Sequence, residues 1–181
     1  NDGQVSSDIT VTINVSDIND APVIAANTGT TVLEGSSNNV ITAAMLSEGD
    51  VDDSGAGLTY TVTSNVINGT LELNGIALNT NDTFTQADID AGIVTYDHDG
   101  SNTTTDNFNF ALADGGEDGS TPAPGTFNIN VTAVDDDPPI QLINTGSTVT
   151  EGGTDTISNT ELRYSDSEQP VASLTYTVTN A

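Results

Sequence analysis

The sequence predicts an all-β protein, a Greek-key β-sandwich arranged in tandem repeats of about 116 residues. The prediction rests on stretches in which apolar and polar residues alternate, on turn residues between them, and on segments that return later in the chain. Alternation with a period of two is typical of antiparallel strands that bury one face. Several such strands per repeat, separated by turns, are typical of a Greek-key sandwich.

The strand signal is clearest in four segments. Every second residue in them is apolar, and the positions between are mostly threonine or asparagine. The four apolar sets are Ile9, Val11, Ile13 and Val15; Leu58, Tyr60 and Val62; Phe108, Phe110 and Leu112; and Phe127, Ile129 and Val131.

Turn and helix signals lie between the strands. Asn68-Gly69 and Asn74-Gly75 are dipeptides typical of tight hairpin turns. One short helix is expected after Thr85, which can act as its N-cap, because Asp88 follows three residues later and completes a capping box. Gly92 is expected to end that helix.

The chain repeats itself internally. Residues 27–35 match 144–152 at an offset of 117, and residues 58–63 return as 174–179 at an offset of 116. Self-similarity at a fixed period indicates a tandem-repeat architecture. We therefore expect residues 1–20 to be the last strand and linker of a preceding repeat, 21–137 to be one complete repeat of the sandwich, and 138–181 to be the N-terminal part of a following repeat.

The charge balance excludes several kinds of partner. The chain has 27 acidic residues against a single base, Arg163, so its formal net charge is −26. Nucleic-acid binders need a basic patch, so we expect no nucleic-acid partner. No apolar run approaches the roughly 20 residues of a membrane-spanning helix, so we expect no direct membrane insertion. Low hydrophobicity with high charge also suits a disordered chain, but here the apolar residues follow a strand pattern.

The sequence favours a non-enzymatic protein. It has no cysteine and no lysine, and its single histidine is His98, which lies between Asp97 and Asp99 with Ser101 nearby. These residues are neighbours in sequence and no nucleophile elbow is present, so a Ser/His/Asp catalytic set is not expected.

Acidic residues are concentrated where the ends of the sandwich should lie. Residues 22–34 span about 40 Å if extended, which would carry Glu34 from the first linker to the second. Later strands would then return acidic loops to each end. The set expected at the first junction is Asp17, Asn19, Asp20, Asp50, Asp52 and Asp114. The set expected at the second is Glu34, Asp135, Asp136, Asp166 and Glu168, with Asp97 and Asp99 as further members.

Converging carboxylates of this kind suit calcium. Ca2+ takes six to eight oxygen ligands from carboxylates, amides and backbone carbonyls. Loop aspartates also cap turns without any ion, and that alternative stays open for Asp50 and Asp52, for the linker 17–20, and for Asp97 and Asp99. For Asp88 and Asp90, the helix terminus is the favoured explanation.

Residues 84–101, read as FTQADIDAGIVTYDHDGS, resemble the chondroitin-sulfate-proteoglycan-type (CSPG) repeat, a cadherin-like module, and Asp106–Phe110 extend the likeness. The resemblance covers the complete repeat and both partial ones. It implies an extracellular or cell-surface location and a cadherin- or immunoglobulin-like sandwich. The lack of lysine and the richness in Asp, Asn and Thr resemble the version of the repeat in giant bacterial adhesins.

The acidic motifs also resemble those of cadherin linkers. Asp17-Ile18-Asn19-Asp20 is similar to the calcium-binding DxND linker, Asp50-Val51-Asp52 to the DxD pair, and Ala113-Asp114 to the AxD motif. Glu34 matches the glutamate of the first cadherin strand. The second linker has Ala133 where the first has Asp17, and no LDRE motif is present, so Asp97 and Asp99 match that motif by rough position only.

The expected function is that of an extracellular structural or adhesive segment, with Ca2+ at the junctions making the array rigid. Its expected partners are neighbouring repeats of the same chain, surface glycans or other adhesin molecules. The alternative is a calcium-dependent carbohydrate- or protein-binding module. The low aromatic content, four tyrosines, four phenylalanines and no tryptophan, counts against a carbohydrate site.

Overall fold

A computed structural model describes residues 3, 9–16, 18–116 and 119–179. Its elements are, in chain order, β1 (Ile24–Asn27), β2 (Thr30–Leu33), β3 (Asn39–Val40), β4 (Leu46–Glu48), β5 (Thr59–Ser64), β6 (Gly69–Leu73), β7 (Ile76–Ala77), β8 (Thr83–Thr85), α1 (Gln86–Asp90), β9 (Val94–His98), β10 (Thr105–Ala113), β11 (Ala123–Thr132), β12 (Ile140–Asn144) and β13 (Leu162–Ser165). Two short 3-10 turns, 55–57 and 171–173, complete the list.

Nine of the strands between β2 and β11 form the two sheets of the predicted β-sandwich. One sheet has the strand order β2-β11-β10-β5-β8, and the second has the order β3-β9-β6-β7. Their inward side chains share one hydrophobic core, in which the rings of Tyr60 and Phe84 stack with centroids 5.0 Å apart. Two smaller sheets pair β1 with β4 and β12 with β13.

Three of the four alternating segments are strands whose apolar residues face the core, as predicted. The first segment, residues 9–16, contains no strand, so that prediction is wrong for the described chain. Its four apolar side chains are between 76% and 88% exposed. An alternating segment becomes a strand only where a neighbouring strand supplies hydrogen bonds, and no described strand pairs with this one.

The pairing of β2 with β11 is parallel, whereas the sequence led us to expect antiparallel strands. The chain from residue 22 to 34 is also interrupted. At Gly29, φ is +70°, and a Cβ atom there would collide with the carbonyl oxygen of Asn128. The break sends β1 to pair with β4 and β2 to pair with β11.

One of the two predicted hairpins forms. Asn74 and Gly75, with φ of 51° and 75°, connect the paired strands β6 and β7. The prediction is wrong for Asn68-Gly69, because β5 and β6 belong to different sheets and the chain crosses between them there. Gly69 is required by close packing instead, since a Cβ would collide with the Asp97 carbonyl and the Tyr96 ring.

The predicted helix is confirmed as α1. The Thr85 hydroxyl accepts the Asp88 N–H at 3.2 Å, and the Asp88 carboxylate accepts the Thr85 N–H at 2.8 Å. Gly92 follows with φ of +69°. Asp90 accepts a hydrogen bond from the Gln86 amide at 2.9 Å, so both acidic residues serve the helix, as expected.

Candidate cation sites at the two repeat junctions

The second junction, around linker residues 133–137, gathers carboxylates from three parts of the chain. The parallel end of β2 and β11 places Glu34 beside the linker, with its N–H donating to the Thr132 carbonyl at 2.9 Å. Two groups have ligand oxygens that all lie within 4.8 Å of one another: Glu34, Asp136 and Glu168, and Asp135, Asp166 and Glu168. The structure therefore brings together all five residues of the main set expected there. We call these five residues the second-junction cluster.

Glu34 is the buried member of this cluster. Its side chain is 5% exposed, and Oε2 accepts the Val134 N–H at 3.0 Å. Its other oxygen, Oε1, is buried and has no hydrogen-bond partner. A buried carboxylate oxygen without a partner is costly, and a cation is one of the few groups that satisfy it in an acidic setting. Arg163 is the only arginine or lysine in the chain, so cationic side chains cannot neutralise a cluster of five carboxylates.

Asp50 and Asp166 lie 116 residues apart, which is the offset of the internal sequence repeat, and they form the same turn. Asp50 Oδ1 accepts the N–H groups of Asp52 and Asp53, both at 2.9 Å. Asp166 Oδ1 accepts those of Glu168 and Gln169 at 2.9 and 3.0 Å. In both residues Oδ2 is buried without a partner. The turn thus uses one oxygen of each aspartate and leaves the other available to a ligand.

The first junction is organised around linker residues 18–20. The Asp20 N–H donates to Asp52 Oδ2 at 2.7 Å, and the Asn19 amide donates to Asp114 Oδ2 at 2.9 Å. Asp17 lies outside the described residues. Among the residues that the structure does describe, both groups of three close ligand carboxylates are at the second junction.

Asp114 anchors the first linker to the end of β10. Its Oδ1 accepts the Ser120 hydroxyl at 2.6 Å and the Gly116 N–H at 2.9 Å. The Ser120 hydroxyl, the Gly116 N–H and the Asn19 amide together lower the pKa of Asp114 to about 2. The carboxylate is therefore ionised, and donors from the protein already bind both of its oxygens.

Asp97 and Asp99 belong to neither close group. Asp97 Oδ1 accepts the Asn38 N–H, and Asp99 Oδ1 accepts the Ser101 N–H at 2.9 Å. The Ser101 hydroxyl and N–H lower the pKa of Asp99 below its usual value. These contacts are the turn chemistry that the sequence left open as the alternative for this pair.

His98 is buried, and its ring forms hydrogen bonds with backbone N–H groups near the second junction. Nδ1 accepts the N–H groups of Gly35 and Gly100, each at 3.1 Å. Nδ1 therefore carries no proton, and we assign the N–H to Nε2, which lies 3.0 Å from the Thr103 hydroxyl. The ring thus fixes the turn after Glu34 to the loop that follows β9.

Sequence reasoning missed Asn102, Asp137 and Gln169. The Asn102 amide donates to Asp137 and Glu168, and the Gln169 amide donates to Asp135. The run of three aspartates at 135–137 was a usable signal for Asp137. No sequence signal distinguishes Asn102 or Gln169 from the many other amides of the chain.

The sequence profile of the cadherin-like family matches residues 22–131, which is more than half of the chain. The chain belongs to the cadherin-like family. This membership confirms the β-sandwich prediction and the cadherin-like character that the 84–101 segment implied.

Two of the relatives are named as extracellular matrix proteins. The human extracellular matrix organizing protein FRAS1 is 31% identical over 191 residues, covering 96% of this chain and 5% of the relative. Human FRAS1-related extracellular matrix protein 1 is 37% identical over 156 residues, covering 86% of this chain and 7% of the relative. Rat chondroitin sulfate proteoglycan 4 is 35% identical over 96 residues, covering 53% of this chain and 4% of the relative. The last similarity confirms the resemblance to CSPG repeats.

This cadherin-like chain spans less than a tenth of the length of each of these relatives. The location of the chain is extracellular, as the resemblance implied. In the part of the chain that the structure describes, no helix is long and apolar enough to cross a membrane.

Proposed function

We propose that this chain is a structural or adhesive segment of an extracellular tandem-repeat protein, and that Ca2+ bound at the junctions makes the array rigid. The observation that carries the proposal is the buried, unpartnered Oε1 of Glu34 in a cluster of five carboxylates. A carboxylate is kept in such a position at a cost unless a ligand compensates it.

The chemistry of the cluster suits a hard cation. Ca2+ prefers six to eight oxygens at about 2.3–2.6 Å, and carboxylates, linker carbonyls and water supply ligands of that kind. Divalent binding would also reduce the repulsion within a chain of formal charge −26.

The positions of the ligands link binding to rigidity. Glu34 belongs to the complete repeat, Asp136 lies in the linker, and Glu168 belongs to the following repeat. An ion shared by these three carboxylates joins both repeats and restricts the hinge between them. The twin turns at Asp50 and Asp166 support a second site of related design at the first junction.

The test is thermal unfolding of the full chain in chelator and across a calcium titration, at fixed ionic strength with magnesium as control. Binding to the folded state alone stabilises it by about 2.7 kcal/mol at a hundredfold excess over Kd. We expect a rise in Tm that is specific for calcium. A response no larger than with magnesium contradicts the calcium site.

The matched variant is Glu34→Gln, which keeps the shape and the acceptor for Val134 but removes the buried charge. In chelator its Tm should equal or exceed that of the wild type, because an uncompensated buried carboxylate has been removed. In calcium its gain in Tm should be smaller. An undiminished gain contradicts the assignment of Glu34 as a ligand.

A further inference from the structure

Asn102 makes a direct contact between two repeats. It is exposed, and it lies in the loop 99–104 between β9 and β10 of the complete repeat. Its amide Nδ2 donates to Asp137 Oδ2 of the linker at 3.1 Å and to Glu168 Oε1 of the following repeat. A neutral side chain of one repeat therefore reaches the carboxylates of the next.

Among the described residues, one other side chain has a donor within hydrogen-bonding distance of both of these oxygens. The Ser167 hydroxyl lies 3.2 Å from Asp137 Oδ2 and 2.8 Å from Glu168 Oε1. A hydroxyl has one hydrogen and serves one acceptor at a time, whereas an amide NH2 has two and serves both. Ser167 also belongs to the same repeat as Glu168, so its bonds do not tie the two repeats together.

The loop holds Asn102 in place. Thr103 is bound by the ring of the buried His98 at 3.0 Å, and its N–H donates to the Ser101 carbonyl at 2.7 Å. Ser101 is in turn fixed by Asp99 at 2.9 Å. Asn102 is therefore presented from a loop whose next residue, Thr103, is bound to a buried side chain of its own repeat.

We propose that Asn102 is a latch that holds the complete repeat to the following one when no cation is bound. Hydrogen bonds from an amide to carboxylates are charge-assisted, so they are stronger than bonds between neutral groups. The two N–H groups also bring partial positive charge to the cluster, in addition to the backbone N–H groups of Val134 and Asp137, which donate to Glu34 and Glu168. Asn102 thus joins the two repeats through its own hydrogen bonds, which do not require calcium.

The test uses the full chain with two introduced cysteines, Ile67→Cys in the complete repeat and Val149→Cys in the following one. Both positions are exposed, and the chain has no native cysteine to interfere. Spin labels at these sites report the distance between the repeats by pulsed electron resonance. All measurements are first made in chelator, where the latch acts without calcium.

We expect Asn102→Ala and Asn102→Asp to shift the distances to longer values and to broaden their distribution. The aspartate is nearly isosteric but has no N–H to donate, so its shift should be the larger. Asn107→Ala, at an exposed position on β10, is the control and should leave the distribution unchanged. Distributions of both Asn102 variants that superimpose on the wild type overturn the latch.

Calcium added to the same samples separates this proposal from the proposed function. If Asn102→Ala opens the junction in chelator and calcium closes it again, both proposals stand. If Asn102→Ala opens it and calcium changes nothing in any sample, the latch stands and the calcium site falls. If calcium narrows the distribution but Asn102→Ala matches the wild type in chelator, the latch falls alone.

Discussion

At the scale of single residues, Asp106 shows how this fold keeps a buried carboxylate without a cation. The residue is 5% exposed, and four donors bind it. They are the N–H groups of Ile67, Asn68 and Asn107 at 3.0, 2.9 and 2.8 Å and the Tyr96 hydroxyl at 3.0 Å. Burial, and then the bond to Asp106, raise the pKa of Tyr96 well above its usual value. Glu34 accepts one N–H, from Val134, and its Oε1 has no hydrogen-bond partner, which is why we propose a cation ligand for Glu34 and not for Asp106.

Removing the Tyr96 hydroxyl should destabilise the complete repeat. Tyr96→Phe leaves a buried carboxylate short of one donor, at a cost of about 1–3 kcal/mol. Chemical denaturation measures the loss. Tyr164→Phe removes an exposed hydroxyl that donates to Gln141 and should cost far less. Equal losses of unfolding free energy in the two variants would show that the buried bond to Asp106 stabilises the fold no more than an exposed hydrogen bond does.

The pKa of Asp114 predicts a loss of stability in acid. The folded-state pKa of about 2 lies below the ordinary 3.8, so the folded chain binds this proton less readily than the unfolded chain. The contribution of Asp114 is fully present above about pH 4 and disappears as the pH falls toward 2. Tm measured across this window should fall less steeply in Asp114→Asn than in the wild type. Parallel curves would exclude Asp114 as a source of the acid sensitivity.

At the scale of elements, Gly125 sets the packing of β10 against β11. It lies opposite Phe110 in the antiparallel register, and a Cβ atom there would collide with the phenylalanine ring. Gly125→Ala should therefore cost about 1–3 kcal/mol, the usual penalty for overpacking. Asn128→Ala, at an exposed position on the same strand, is the control for chemical denaturation. A neutral Gly125→Ala would mean that Phe110 moves aside freely.

Local signals in the sequence predicted the elements well, while contacts between distant elements were harder to predict. The alternation around Phe108 and Phe127 and the Thr85 cap depend on neighbours along the chain, and all three are confirmed. The parallel pairing of β2 and β11 depends on which strand lies beside which, and alternation carries no information on that choice. The same limit explains why Asn68-Gly69 was misread as a hairpin.

The candidate site likewise contains residues that the sequence predicted and one that only the fold reveals. The extended length of residues 22–34 and the return of acidic loops by later strands were enough to predict that Glu34, Asp136 and Glu168 meet at one end of the sandwich. Asn102 was out of reach, because an amide gives no charge signal. Its role emerges only when the fold places it across the junction from Glu168.

At the scale of the whole molecule, the rate at which trypsin cleaves one peptide bond can be used to detect ion binding at the second junction. Arg163 is the only trypsin site in the chain, and it lies in β13, where it pairs with Ile143 of β12. Trypsin needs an extended, unpaired backbone, so cleavage requires β13 to open locally. Asp166 and Glu168 of the second-junction cluster follow directly after this strand. Calcium held by them should oppose that opening.

We therefore expect calcium to slow cleavage after Arg163, by up to about 100-fold at a hundredfold excess over Kd if binding and opening exclude one another. The fragments ending at Arg163 and beginning at Tyr164 are resolved by mass spectrometry, and a small chromogenic substrate corrects for any effect of calcium on trypsin itself. Glu34→Gln should weaken the protection, because Glu34 lies in another repeat and influences β13 only through a shared ion. If the variant is protected as well as the wild type, calcium binds to the following repeat alone and does not join the two repeats.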